Sequence, residues 1–97
     1  MKTVLSILIL AVILPGMRFD SITPNSGKAG DAVTVTGANF GSDCELTLGR
    51  KVAEITELSY GTIKFKVPPH TKGKKSLIIT CKERMPIFQH QAFEYTQ

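Results

Sequence analysis

Residues 22–40 read ITPNSGKAGDAVTVTGANF, and this stretch decides the fold because a proline turn, two glycine breaks and one alternating strand follow one another within it. Pro24 holds φ near about −65° and carries no amide hydrogen, so a strand beginning near Ile22 leaves its sheet at an edge. Asn25, Ser26 and Gly27 suit a turn, since Asn and Gly tolerate positive φ. After a second break at Gly30 and Asp31, residues 32–36 alternate: Val33 and Val35 point one way, Thr34 and Thr36 the other. That is the period of a half-buried strand. Gly37 ends the alternation, and Phe40, just before Gly41, turns its ring back under the sheet.

The rest of the chain continues in short strands separated by turn residues at intervals of about ten, the spacing of an antiparallel β-sandwich, with no convincing helical period. Cys44, Leu46 and Leu48 alternate with Glu45 and Thr47, and Gly49 with Arg50 predicts a tight hairpin into a strand over residues 52–55. Ile63, Phe65 and Val67 oppose Thr62, Lys64 and Lys66, giving one apolar and one cationic face closed by Pro68 and Pro69. Leu77, Ile79 and Cys81 oppose Ser76, Ile78 and Thr80. The last strand is expected over residues 92–96, with Phe93 and Tyr95 on one face. Residues 83–91 fit either a long hairpin loop or strands running past the sheet on both sides of a turn near Met85 and Pro86.

The opening stretch resembles the signature of IPT/TIG domains, immunoglobulin-like modules shared by plexins and transcription factors, in which I-x-P-x-x-G precedes G-x-x-V-T-V-T-G-x-N-F-G. Ile22, Pro24 and Gly27 match the first part; Gly30, Val33 to Gly37 and Asn39 to Gly41 match the second. The resemblance runs from Ile22 to Tyr95, about three quarters of the chain, and ends on the Phe-x-Tyr with which such domains commonly finish. It implies an all-β, immunoglobulin-like sandwich of the E-set type. It also implies a non-catalytic extracellular or cell-surface interaction module with an adhesive, receptor-like or spacer role.

In an immunoglobulin-like sandwich the third and sixth strands are antiparallel neighbours, so paired positions have a constant sum. Placing Cys44 opposite Cys81 sets that sum at 125 and brings Leu46 opposite Ile79 and Leu48 opposite Leu77, all on one apolar face. Two readings follow for the cysteines: a cross-strand disulfide, or two buried free thiols acting as small hydrophobes.

Ahead of the domain, residues 1–16 form a short hydrophobic segment that reads as a signal peptide, leaving residues 17–97 as the domain; a buried N-terminal helix or strand and an uncleaved membrane anchor are the alternatives. Lys2 precedes an apolar run over residues 4–14 broken only by Ser6. That is too short for a spanning helix of about 20 residues but suits a leader core of about 7–15. Pro15 and Gly16 end the run, and cleavage is expected after Gly16 or Met17, although neither site is small-x-small. Export would make the domain secreted or cell-surface and place its cysteines in an oxidising compartment.

For catalysis, the chain offers no nucleophile with a base, no paired carboxylates and no metal-ligand spacing; no cofactor or metal is expected. His70 and His90 read as surface histidines, and Asp43, Glu45, Glu54 and Glu57 as solvated charges. The formal charge of +4, or +3 once Lys2 is removed, is concentrated between positions 64 and 84. Lys64, Lys66, Lys72, Lys74 and Lys75 make a candidate basic face, which either protects a sheet edge from aggregation or binds a polyanion. The alternative function is therefore an accessory polysaccharide- or polyanion-binding domain using that face, with Tyr60 or Phe88 as an aromatic contact. The expected partner is a protein or an extracellular glycan, with self-association through sheet edges as a further route. Nucleic acid is disfavoured by the leader, and membrane contact is expected only through that leader.

Overall fold

The computed structural model describes residues 16–96. The expected signal peptide lies outside the described residues except for Gly16, which bridges to Met85 and whose carbonyl accepts a 2.7 Å hydrogen bond from Asn39 Nδ2.

The alternating segments become nine strands: β1 Arg18–Thr23, β2 Ser26–Gly27, β3 Ala32–Ala38, β4 Cys44–Leu48, β5 Lys51–Val52, β6 Glu54–Leu58, β7 Thr62–Lys66, β8 Gly73–Cys81 and β9 Ile87–Tyr95. They form two sheets, β1-β3-β7-β6 and β2-β9-β8-β4-β5, with the core between them. Val33 and Val35 of β3 lie opposite Phe65 and Ile63 of β7, and all four side chains are buried. The facing sheet contributes Leu46, Leu48, Leu77, Ile79, Phe93 and Tyr95, while Phe40 closes one end.

Between β4 and β8 the register is Cys44↔Cys81, Leu46↔Ile79 and Leu48↔Leu77, every pair summing to 125. Cys44 and Cys81 are joined as a disulfide, so of the two readings the bonded one holds. Closing a loop of 37 residues removes chain entropy worth about 4 kcal/mol from the unfolded state.

Three segments differ from their sequence reading. Residues 25–27, expected as a turn, include β2, which pairs in parallel with β9. The carbonyls of Asn25 and Gly27 accept the amides of Glu94 and Thr96. Pro24, with no amide to offer, marks where the chain leaves one sheet for the other. The strand expected over residues 52–55 is two strands in different sheets. Lys51 and Val52 pair with β4, the small buried Ala53 bonds its amide to Leu46 O at 2.9 Å, and β6 continues against β7. Finally, residues 83–91 match neither expected form in full: β8 ends at Cys81, the chain turns at residues 82–84, and the last strand starts at Ile87 rather than Ala92. Its pairing with β8 is bulged, with Gln91 at φ 49° and its amide bonded to Ser76 Oγ.

The end of the sandwich beyond β7 is held by His70. Its Nε2–H donates to the Gly49 carbonyl at 2.8 Å, and its Nδ1 accepts the Thr71 amide at 2.7 Å, so the two ring nitrogens have distinct donor and acceptor roles. The ring lies 5.6 Å from that of Tyr95, whose hydroxyl donates to the Pro68 carbonyl. Gly49 and Arg50 both have positive φ, 58° and 72°, the pattern of a two-residue hairpin whose twist matches its strands. A Cβ on Gly49 would stand 2.6 Å from His70 Nε2, so glycine is required there by both backbone and neighbour.

Gly49→Ala is therefore expected to cost about 2–4 kcal/mol by urea denaturation. In a His70→Ala background the same change should cost only about 1 kcal/mol of left-handed backbone. Equal costs in the two backgrounds would mean that the imidazole does not enforce the glycine. Burial also raises the Tyr95 hydroxyl above its ordinary 10.0. The unfolded chain loses this proton first, so stability is full below pH 10 and declines as pH rises from there through the folded value. Tyr95→Phe should remove that component of the alkaline decline, and a variant declining as steeply as the parent would contradict it.

Candidate interaction surface

Each sheet turns one face outward, and the two faces differ in charge. On the four-stranded sheet β7 presents Lys64 and Lys66. Lys64 Nζ is 3.6 Å from Glu57 Oε1, and Lys66 lies in register with Glu54 of β6. The Lys64–Glu57 pair adds little stability, but it lowers the field of Lys64; Lys66, like Lys74 opposite Glu94, has a carboxylate only as its cross-strand partner.

After β7, Pro68 and Pro69 carry the chain across to the other sheet, so Lys72 lies in the connecting loop and Lys74 and Lys75 on β8. Tyr60, 67% exposed, sits before the start of β7, where its carbonyl accepts the Phe40 amide at 3.0 Å. The candidate residues thus divide among three places: Lys64 with Lys66, the group of Lys72, Lys74 and Lys75, and Tyr60 at the opposite end.

The outer face of the five-stranded sheet carries a row that the strand register assembles: Val52 opposite Thr47, Thr47 opposite Ile78, and Ile78 opposite Phe88. Val52 and Phe88 are 62% and 61% exposed. Beside this row, toward the β4–β5 turn, is an open concavity of about 460 Å³ lined by Arg50, His70, Lys74, Lys75, Phe88 and His90 together with Gly49, Ser76 and Ile78. No carboxylate lines it. Lys75 Nζ donates to Thr71 Oγ1 at 3.0 Å, which ties it to the His70 loop. Glu94 is the cross-strand partner of Lys74, but the ion pairs formed among the described residues are Arg18–Asp20, Lys28–Asp31 and Lys64–Glu57. The Phe88 and His90 rings stand 6.4 Å apart.

The sequence reading did not bring Arg50 into a site, and it treated both histidines as plain surface residues. His70 is instead a structural bracket, and the legible trace of it was Gly49 at the hairpin it buttresses. Phe88 reads from the sequence as an aromatic contact, but its place beside Arg50 and Lys74 depends on a bulged register. Among the described residues no three His, Cys, Asp or Glu side chains gather as a metal set. The arrangement is suited to holding a ligand by ring contact and positive charge.

Comparison with known proteins agrees with this architecture. The chain superposes on a Bacteroides thetaiotaomicron protein of unknown function with TM-score 0.75 and 18% identity, over 82% of this chain and 22% of that one. It superposes on the plexin A4 extracellular region with TM-score 0.74 and 22% identity, over 84% and 7%. An auxiliary nutrient binding protein from Bacteroides ovatus gives 0.67 and 19%, over 84% and 21%. The chain therefore spans less than a quarter of the length of these structures, and at such identities the likeness is one of fold. A search of curated proteins by sequence finds no match. The family profile of the IPT/TIG domain matches residues 17–95, nearly the whole described chain, and the protein belongs to the IPT/TIG domain family.

Proposed function

We propose that this domain is a secreted or cell-surface interaction module with an adhesive, receptor-like or spacer role, released from a leader spanning residues 1–16. The observation that carries this reading is the Cys44–Cys81 disulfide within a non-enzymatic immunoglobulin-like domain, because such bonds persist in oxidising compartments. The extracellular plexin A4 neighbour and the nutrient-binding neighbour are consistent with a domain that serves recognition.

The edges of the sandwich favour recognition through faces over recognition by strand addition. β1 is bulged between Phe19 and Ser21 and β6 between Ile55 and Glu57. β2 and β5 have two residues each. Short and bulged edges template a further strand poorly, which weighs against self-association by that route.

Expressed with its own leader in an exporting host, the chain is expected outside the cytoplasm and shortened by about sixteen residues. Under denaturing alkylation it should take up no groups until reduced, and then one on each of its 2 cysteines. A full-length product retained in the cell with both thiols reactive would overturn this reading.

A further inference from the structure

We propose that the outer face of the five-stranded sheet binds an acidic oligosaccharide. In this proposal Phe88 is the platform for a sugar ring, and Arg50 and Lys74 are the partners of its sulfate or carboxylate groups. The inference rests on the extracellular reading above and names the ligand class for it.

The concavity beside Phe88 is lined by Arg50, Lys74 and Lys75 with no carboxylate, Glu94 standing across the strand pair from Lys74 outside that lining, whereas Lys64 on the other sheet is ion-paired with Glu57. A concave surface lined by cations and no carboxylate attracts an anion, and a guanidinium fits the fork of a carboxylate or sulfate. A ligand held by charge alone would not call for an exposed aromatic ring. Phe88 nevertheless stands 61% exposed on β9, flanked by Ile78 across the strand pair and by the His90 ring. The face of an aromatic ring carries negative potential, which suits the polarised C–H face of a pyranose.

Other acidic ligands fit less well. The surface is the face of a sheet, whose backbone groups are paired with neighbouring strands, and the nearer edge, β5, has only two residues. An acidic peptide would find no edge on which to add a strand. Nucleic acid could use both stacking and charge, but the disulfide points to an oxidising compartment outside the cytosol and nucleus.

The test is a titration of the secreted, isotopically labelled protein, followed by amide shifts, with a heparin hexasaccharide, a hyaluronan hexasaccharide and uncharged cellohexaose. A hexaglutamate peptide and a short oligothymidylate serve as competing polyanions. At least one acidic sugar should bind, with shifts centred on Arg50, Lys74, Phe88 and His90. Binding by heparin alone would assign sulfate, and binding by both would assign either anion. Phe88→Ala, and separately Arg50→Asn with Lys74→Gln, should each weaken binding by about tenfold or more. Asn is chosen because it tolerates the positive φ at position 50. Phe88→Tyr should retain binding, and Lys64→Gln with Lys66→Gln should change it by less than about twofold.

Failure of both acidic sugars to bind would overturn the proposal, as would shifts located elsewhere or cellohexaose binding as tightly as the acidic sugars. Hexaglutamate or oligothymidylate binding more tightly than the sugars would also overturn it. Alkylation of the same sample separates this outcome from failure of the extracellular reading, since reactive thiols would contradict the latter whatever the titration gives.

Discussion

The pairing of β4 with β8 is the constraint on which the rest of the sandwich depends. Because side chains alternate across a strand, a slip of one residue would turn Leu46 and Leu48 into solvent and bring Glu45 and Thr47 into the core. The disulfide between Cys44 and Cys81 is a covalent guard against that slip at one end of the ladder. The hairpin at Gly49 and Arg50, bracketed by His70, guards the other. With the register held, Leu46, Leu48, Leu77 and Ile79 face the opposite sheet, and Thr47 and Ile78 are left to build the outer face with Val52 and Phe88.

This part of the fold was legible because it obeys a single period and a single index sum. The alternation of Val33 and Val35, of Ile63 and Phe65 and of Phe93 and Tyr95 reads directly from the chain, and each of these side chains is buried. The sheet change at Ala53 was not legible, since the alternation of residues 52–55 continues through the crossing and a small buried residue leaves no break in the pattern. The division of the lysines was hidden for a related reason. Closeness in sequence does not give closeness in space here, because Pro68 and Pro69 mark a passage between sheets that sets Lys64 and Lys66 apart from Lys74 and Lys75. The site around Phe88 was the least legible: the β8–β9 bulge has no local signature, and although the β4–β5 hairpin reads from Gly49 and Arg50, its place beside Phe88 does not.

The two outer faces show how similar strand patterns acquire different surfaces. On the four-stranded sheet, cations on β7 meet carboxylates on β6, and the result is a solvated face of mixed charge. On the five-stranded sheet, an apolar row ends in a basic concavity without a lining carboxylate. Neither face contributes much to the core, so the scaffold leaves both free to differ. In a small domain whose stability comes from one core and one covalent link, such a face is where specificity accumulates at little cost to folding.

The measurement that tests the central claim most directly is a tryptic peptide map of the exported protein without reduction. The β4–β8 register requires the fragment of residues 29–50, which contains Cys44, to be joined to the fragment of residues 76–82, which contains Cys81. The account predicts one linked species of that combined mass, resolved into its two parts by reduction, in protein that migrates as a monomer. The two fragments recovered separately, or each joined to a copy of itself, would contradict the pairing on which the two faces are built.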